Sequence, residues 1–313
     1  MLLSLFDTHC DTPYEMYKRK EKLSLNTLHI STDKISAYCN YCQCMAIWSD
    51  KKRSDEEAYR AFFDICRYFK TECDADPKVS LCDNYADISN AHENGRAAFV
   101  LAVEDARLLS NDISRLDVLR THGVRFLTFQ WEGESCIGGG FDTDIPLTPF
   151  GRSVAENCTR LGIIPDISHA CERTARDIIE ISYQKNLPVI ATHSNSFSVY
   201  PHKRNLSDAL YDLLCEGDGI VGISLAPQHL TKNDAASSLD VLSHIEHYAE
   251  RHGIRRICLG CDFDGIEKTP SDLGRIDRLY NLANAMLSRN YNEDEVRAVF
   301  SENARSFFER NLR

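Results

Sequence analysis

Eight apolar runs with the character of strands recur along the chain, and helical periodicity separates nearly all of them. The runs occupy 4–9, 42–48, 97–104, 124–131, 163–169, 188–193, 219–227 and 256–265. Between them, apolar residues fall at helical spacing over 54–70, 113–122, 149–162, 172–185, 207–215 and 239–251. Pro149 suits a first helical turn, and Gly123 and Gly162 suit stops. The stretch between the first two runs reads as loop-rich, and three helical segments, 279–287, 293–300 and 303–308, close the chain. Parallel neighbours need a crossover, so strict alternation argues for a parallel sheet. Eight units predict a closed (β/α)8 barrel with extra C-terminal helices, one catalytic domain over residues 1–313. An open doubly wound sheet is the alternative, but no G-x-G-x-x-G follows a strand to support a dinucleotide site.

The net charge of −11 and the lack of a dense basic patch argue against a nucleic-acid partner. Lys51-Lys52-Arg53 is short, is followed by Asp55 and Glu56, and reads as a solvated loop. MLLSLF has no basic leader before it, no run reaches the roughly 18 apolar residues of a membrane helix, and FFERNLR is not a lipid-anchor tail. The expectation is a cytoplasmic protein without membrane contact, its thirteen cysteines reduced. CNYCQC lies in a strand-like run with no second pair at zinc-ribbon spacing, and CLGC runs along a strand rather than opening a helix. Both read as core thiols.

What ends each run carries the chemistry. The first ends in His9 and Asp11, two positions apart and so on one side of a strand. The third ends in Glu104, the fifth in His169, the sixth in His193, and the eighth in Asp262 and Asp264. Each has a plain structural reading: a hydrogen-bonded histidine, a loop carboxylate, a helix cap. Together, at the C-terminal rim of a barrel, they form a set of N and O donors suited to zinc, with manganese, cobalt or iron as alternatives. A shared carboxylate could hold two ions about 3.5–4 Å apart. His244 and His247 form an H-x2-H on a helix amid charged neighbours and read as a solvated face.

In order, DTHCD, VED, LTFQW, PDISH, THSNS, KRN, GCDFDG and NARSFF span nearly the whole chain. With these motifs the sequence resembles the membrane dipeptidase (renal dipeptidase) family, whose H-x-D differs from the H-x-H usual in the wider amidohydrolase superfamily. The resemblance implies a (β/α)8 barrel that hydrolyses free dipeptides through a hydroxide activated by two zinc ions. It implies that His9 and Asp11 ligate one ion, His169 and His193 the other, and Glu104 both. Arg204 would hold the substrate's C-terminal carboxylate, and Asp262 would handle the proton near its amine. A homodimer is implied by analogy alone. Trp131 stands where the family carries a substrate-binding histidine, Cys10 lies between the first two ligands in place of a polar residue, and Asp105-Ala106 replaces a glycine pair. Two further readings remain open: hydrolysis of another small amide, such as an N-acyl amino acid or a lactam, and a non-catalytic metal-binding barrel.

Overall fold

The computed structural model describes residues 2–232 and 235–313. Its strands are β1 (Leu5–Cys10), β2 (Tyr41–Ile47), β3 (Val79–Leu81), β4 (Ala97–Glu104), β5 (Val124–Thr128), β6 (Ile164–Asp166), β7 (Ile190–Ala191), β8 (Ile220–Ile223) and β9 (Ile257–Leu259). They pair in parallel in the order β2-β1-β9-β8-β7-β6-β5-β4, and β2 returns to β4 over Cys42↔Ala98 to Ile47↔Val103. That pairing closes a ring of eight and rules out the open sheet. β3 lies outside the ring, beside residues 97–99 of β4, where β5 has not yet begun.

Alternate strand residues point inward. Phe6, Cys42, Cys44, Ala46, Ala98, Val100, Ala102, Phe126, Ile164, Ile190, Ile220 and Cys258 form one buried cluster. Phe307, Phe308 and Leu312, on and just past the helix Asn303–Asn311, join it where the strands begin. Phe308 lies 5.3 Å from Phe126 and 6.2 Å from Phe6, ring to ring, so the last helix plugs the barrel floor. Cysteines serve inside as small apolar filler. All thirteen are free, and burial pushes the Cys42, Cys44 and Cys258 thiols up. The core-thiol reading of both clusters stands, with Cys39 alone exposed.

The outward strand residues pack on the helices. Asp55–Ala75 starts with a capping box between Ser54 and Glu57 and buries Phe62, Ile65 and Phe69. Four helices depart from expectation, the short Thr32–Ile35 and Pro227–Leu230 among them. Thr12–Arg19 occupies the start of the stretch read as loop, its N-terminus lacking a side-chain cap. Tyr85–Glu93 buries only Ile88 and Ala91, too narrow a stripe to show as periodicity. From β5 to β9 the strands end two or more residues before the apolar runs do, so His169, His193, Asp262 and Asp264 fall on the loops beyond, while His9 and Glu104 lie on β1 and β4. No helix among the described residues is long and apolar enough to cross a membrane.

Close approach shapes the upper barrel. A Cβ on Gly260 would sit 1.7 Å from the Thr192 carbonyl oxygen, and Thr8 Oγ1 donates to that same oxygen at 2.6 Å. Only glycine lets the chain before His193 cross here. The plug gives the first prediction. Phe308→Ala should destabilise the protein by about 3–5 kcal/mol, the usual cost of emptying a buried aromatic site, as read by denaturant unfolding. A change below about 1 kcal/mol would show that the floor closes without it.

Candidate metal centre

His9, Asp11, Glu104, His169, His193 and Asp262 converge above the barrel, and of the polar run-ends only Asp264 does not join them. His9 Nε2 lies 3.4 Å from Asp11 Oδ2, 3.7 Å from Asp262 Oδ1 and 3.8 Å from Glu104 Oε1. Glu104 Oε1 lies 3.0 Å from His169 Nε2 and 3.4 Å from His193 Nε2. The His9 and His193 rings stack at 3.7 Å. Two donor groups fit a cation, His9–Glu104–His193 and His9–Asp11–Asp262. Asp264 is engaged elsewhere: it accepts from Thr12 Oγ1 and from the His29 N–H, each at 2.6 Å. Neither Asp262 nor Asp264 caps a helix.

The hydrogen bonds around the imidazoles set their tautomers. His169 Nδ1–H donates to the Trp131 carbonyl at 3.1 Å, so Nε2 carries a lone pair. Asp166 accepts four bonds: from the Ser168 and Thr192 N–H groups at 2.9 Å each, and from Thr128 Oγ1 and Thr192 Oγ1 at 2.6 and 2.5 Å. The Thr192 hydroxyl gives its proton to Asp166, so toward His193 Nδ1, 2.8 Å away, it can only accept. His193 Nε2 therefore also presents a lone pair, 2.9 Å from that of His169 and facing the same Glu104 oxygen. Burial first, then the charges of His9 and Arg204, hold His193 well below the usual imidazole range, and burial does the same to His169.

The electrostatics call for a cation. Burial, then the neighbouring Asp11, raises Glu104 well above the carboxylate range. Burial pushes Asp262 up to about 7, with His9 opposing. Burial disfavours a charged His9, yet Glu104, Asp11 and Asp262 outweigh it and lift it to about 10. His9 Nε2 and Asp11 Oδ1 are buried without a hydrogen-bond partner. Converging lone pairs, clustered carboxylates and unpartnered ligand atoms fit a divalent metal with N and O ligands. Gly265 permits the crowding: a Cβ there would lie 2.2 Å from Asp11 Oδ2 and 2.5 Å from Asp262 Oδ1.

The cluster opens into a cavity of about 240 Å³, lined also by Arg204, Trp131, His229, Tyr14, Trp48 and Phe141. Arg204 is buried, donates to Ser194 Oγ at 3.1 Å and the His193 carbonyl at 3.0 Å, and leaves Nε without a partner. Burial lowers it only to about 10, so it stays charged. His244, read as solvent-facing, is fully buried. It accepts from the Ser196 N–H and donates to the Leu230 carbonyl, both at 3.0 Å, and so pins the loop carrying Arg204. His247 is half-buried and paired with Asp208 at 2.8 Å. Cys10 turns away from the centre toward Met45 and the Cys44 carbonyl. Asp105, at φ 78°, caps the short turn Ala106–Leu109. Lys51 reaches across its exposed turn to Glu132. Sequence reasoning missed His229, Tyr14 and Trp48. Trp48 had a signal, since it closes the second run as Trp131 closes the fourth, but only polar run-ends were sought. Thr192→Val should weaken divalent-metal affinity about tenfold in chelator competition, with Thr192→Ser restoring it. Unchanged affinity would sever Thr192 from His193.

With this geometry in hand, relatives place the chain. A match to the membrane dipeptidase family (peptidase family M19) covers residues 2–310. Dipeptidase tcpJ of Claviceps purpurea is 28% identical over 72% of this chain and 54% of its own length. Dipeptidase aclJ of Aspergillus oryzae is 30% identical over 68% of this chain and 51% of its own. The chain thus spans about half the length of these curated relatives. A metallopeptidase from Rhodobacter sphaeroides, solved with a phosphinate mimic of the dipeptide L-Ala-D-Ala, shares the fold with a TM-score of 0.91 at 24% identity, over 99% of this chain and 100% of that one. The chain belongs to the membrane dipeptidase family, peptidase family M19.

Proposed function

We propose that this protein is a metal-dependent dipeptidase that hydrolyses the amide bond of free dipeptides, with two zinc ions as its cofactor and residues 1–313 working as one catalytic domain. The observation carrying this reading is the buried Glu104 oxygen that faces His9, His169 and His193, with Asp11 against His9, beside the buried, charged Arg204. Family membership and the dipeptide mimic bound by the Rhodobacter enzyme point the same way. His9 and Asp11 would hold one ion, His169 and His193 the other, and Glu104 both. Bound there, divalent metal supplies Lewis acidity and lowers the pKa of water toward neutrality.

The chain's own groups do the rest. Arg204 presents its unpartnered Nε side to the substrate's terminal carboxylate, a planar fork suited to that group. A longer peptide would put an amide where the carboxylate belongs and leave the buried charge unpaired. Asp262, raised toward neutrality, accepts a proton from the nucleophile and returns it to the departing amine. Glu104 and Asp11 would supply carboxylate oxygens to the metal, while His169 and His193 stay neutral and available as ligands. Trp131 lines the cavity with an apolar ring and one N–H donor instead of a second-row imidazole. That exchange is the one feature favouring hydrolysis of an N-acyl amino acid or lactam instead.

Two substitutions separate the roles. Asp262→Asn should keep metal and substrate binding and lose about 10²–10⁴-fold in kcat, and near-normal turnover would remove Asp262 from proton transfer. Arg204→Ala should raise KM for free dipeptides about 30-fold or more, as expected for a lost charge-assisted pair. Release of amino acids from free dipeptides, N-acyl amino acids and tripeptides, with and without chelator, checks the reading itself. Cleavage of the N-acyl compounds alone would move the substrate class.

A further inference from the structure

The cavity has two unlike sides. Arg204 reaches it from the loop after β7, and His229 from the short helix Pro227–Leu230 that follows β8. In the ring order, β2 stands four strands from β7, directly across the barrel. There Trp48 lies just past the end of β2, between Tyr14 and Trp131. Its ring is 4.9 Å from Tyr14 at 89° and 5.2 Å from Trp131 at 56°. These three rings form a continuous wall facing the Arg204 side.

The charged groups beside the wall are paired with one another. Glu15 beside it is bonded to Lys18 at 2.8 Å and Arg19 at 2.7 Å. Glu132 is bonded to Lys51, whose ammonium also sits 5.7 Å above the Trp131 ring. It is also held in place. Arg107, anchored to Asp105 at 2.9 Å, donates to the carbonyls of Asp50 at 3.2 Å and Arg53 at 2.8 Å, fixing the turn that follows Trp48. A wall of rings that is fixed before anything binds loses little freedom on binding.

We propose that Tyr14, Trp48 and Trp131 form the recognition surface for the side chain of the substrate's amino-terminal residue, and that the surface selects large apolar or aromatic side chains, with Trp48 as the principal specificity residue. This rests on the dipeptidase reading. With the carboxylate held at Arg204, the amino-terminal residue is the one directed across the barrel toward β2. Ring faces reward apolar area and edge-to-face stacking, whereas a carboxylate side chain would lose its water there, and the two ammoniums over the rings, Lys18 and Lys51, are already bonded to Glu15 and Glu132.

The test uses the metal-loaded protein and a series of free dipeptides X-Ala, with X being Phe, Leu, Ala, Lys or Asp. Phe-Ala and Leu-Ala should exceed Ala-Ala in kcat/KM by roughly 10- to 100-fold. Trp48→Ala should bring the Phe-Ala to Ala-Ala ratio to within about threefold of one, while Trp48→Phe should retain most of it. A ratio unmoved by Trp48→Ala, or a preference for Lys-Ala or Asp-Ala, overturns the proposal. A second readout separates this from failure of the dipeptidase reading. The chain has two tryptophans, Trp48 and Trp131, so fluorescence excited at the red edge of tryptophan absorption, where its thirteen tyrosines scarcely absorb, reports on the wall. If no dipeptide is cleaved, Phe-Ala binding that changes this fluorescence more tightly than Ala-Ala upholds the wall while the dipeptidase reading falls. No fluorescence change at concentrations well above those of any substrate's KM, or up to solubility when nothing is cleaved, overturns the wall.

Discussion

Glu104 is the constraint around which the rest is arranged. Its carboxylate is buried at the end of β4, and one oxygen faces the Nε2 atoms of three histidines. Two more carboxylates, Asp11 and Asp262, stand against His9. Removing so much charge from water is costly unless each group meets an opposite charge or a ligand bond. The protein offers one buried cation beside the cluster, Arg204, whose guanidinium is already partly engaged with Ser194 and the His193 carbonyl. The remaining imbalance is of the kind a divalent ion removes, and the raised Glu104 and His9 are how it shows while protons alone are there to offset it.

Holding such a cluster demands a stiff support, and the fold supplies it from below. The barrel interior is filled with small and aromatic side chains and closed by Phe307 and Phe308, so the rim rests on a packed floor. Above that, polar groups take over from packing. Asp166 gathers four donors from β5, from the β6 loop and from Thr192, and through Thr192 it aligns His193. Thr8 fastens the Thr192 carbonyl across the top of β9, where Gly260 and Gly222 leave room. His244 does the corresponding work for the Arg204 loop from the buried face of its helix, beside Val241, Ile245 and Tyr248.

Much of this was legible in the sequence because the barrel writes its pattern in local terms. Each buried strand is an apolar run, nearly every crossover a helical period, and most of the candidate metal ligands a polar stop at a run's end. His9, Glu104, His169, His193 and Asp262 were all found that way, and the structure brings them together. What was not legible depends on contacts between distant segments. The strands end early because β6, β7 and β9 have only two or three residues in register with their neighbours, and the loops beyond adopt special conformations, with His169 at φ 68° and Asp262 at φ 61°. His244 looked solvated because its helix is charged, and its partners, Ser196 and Leu230, lie 48 and 14 residues away. Tyr14 and Trp48 look like ordinary core aromatics until the barrel closes and brings Trp131 beside them.

The size of the cavity then follows from the two sides it separates. At about 240 Å³ it falls below the roughly 300–1,000 Å³ typical of drug-sized ligand sites. One boundary is Arg204, which cannot withdraw because its guanidinium is held by Ser194 and the His193 carbonyl. The other is the ring wall, which cannot withdraw because Arg107 clamps the turn behind Trp48. Neither boundary belongs to the metal cluster, yet both are tied to its frame: Arg204 through the carbonyl of His193, and Arg107 through Asp105, the residue after Glu104. The same strand ends that aim the ligands therefore also set how large a molecule can reach them.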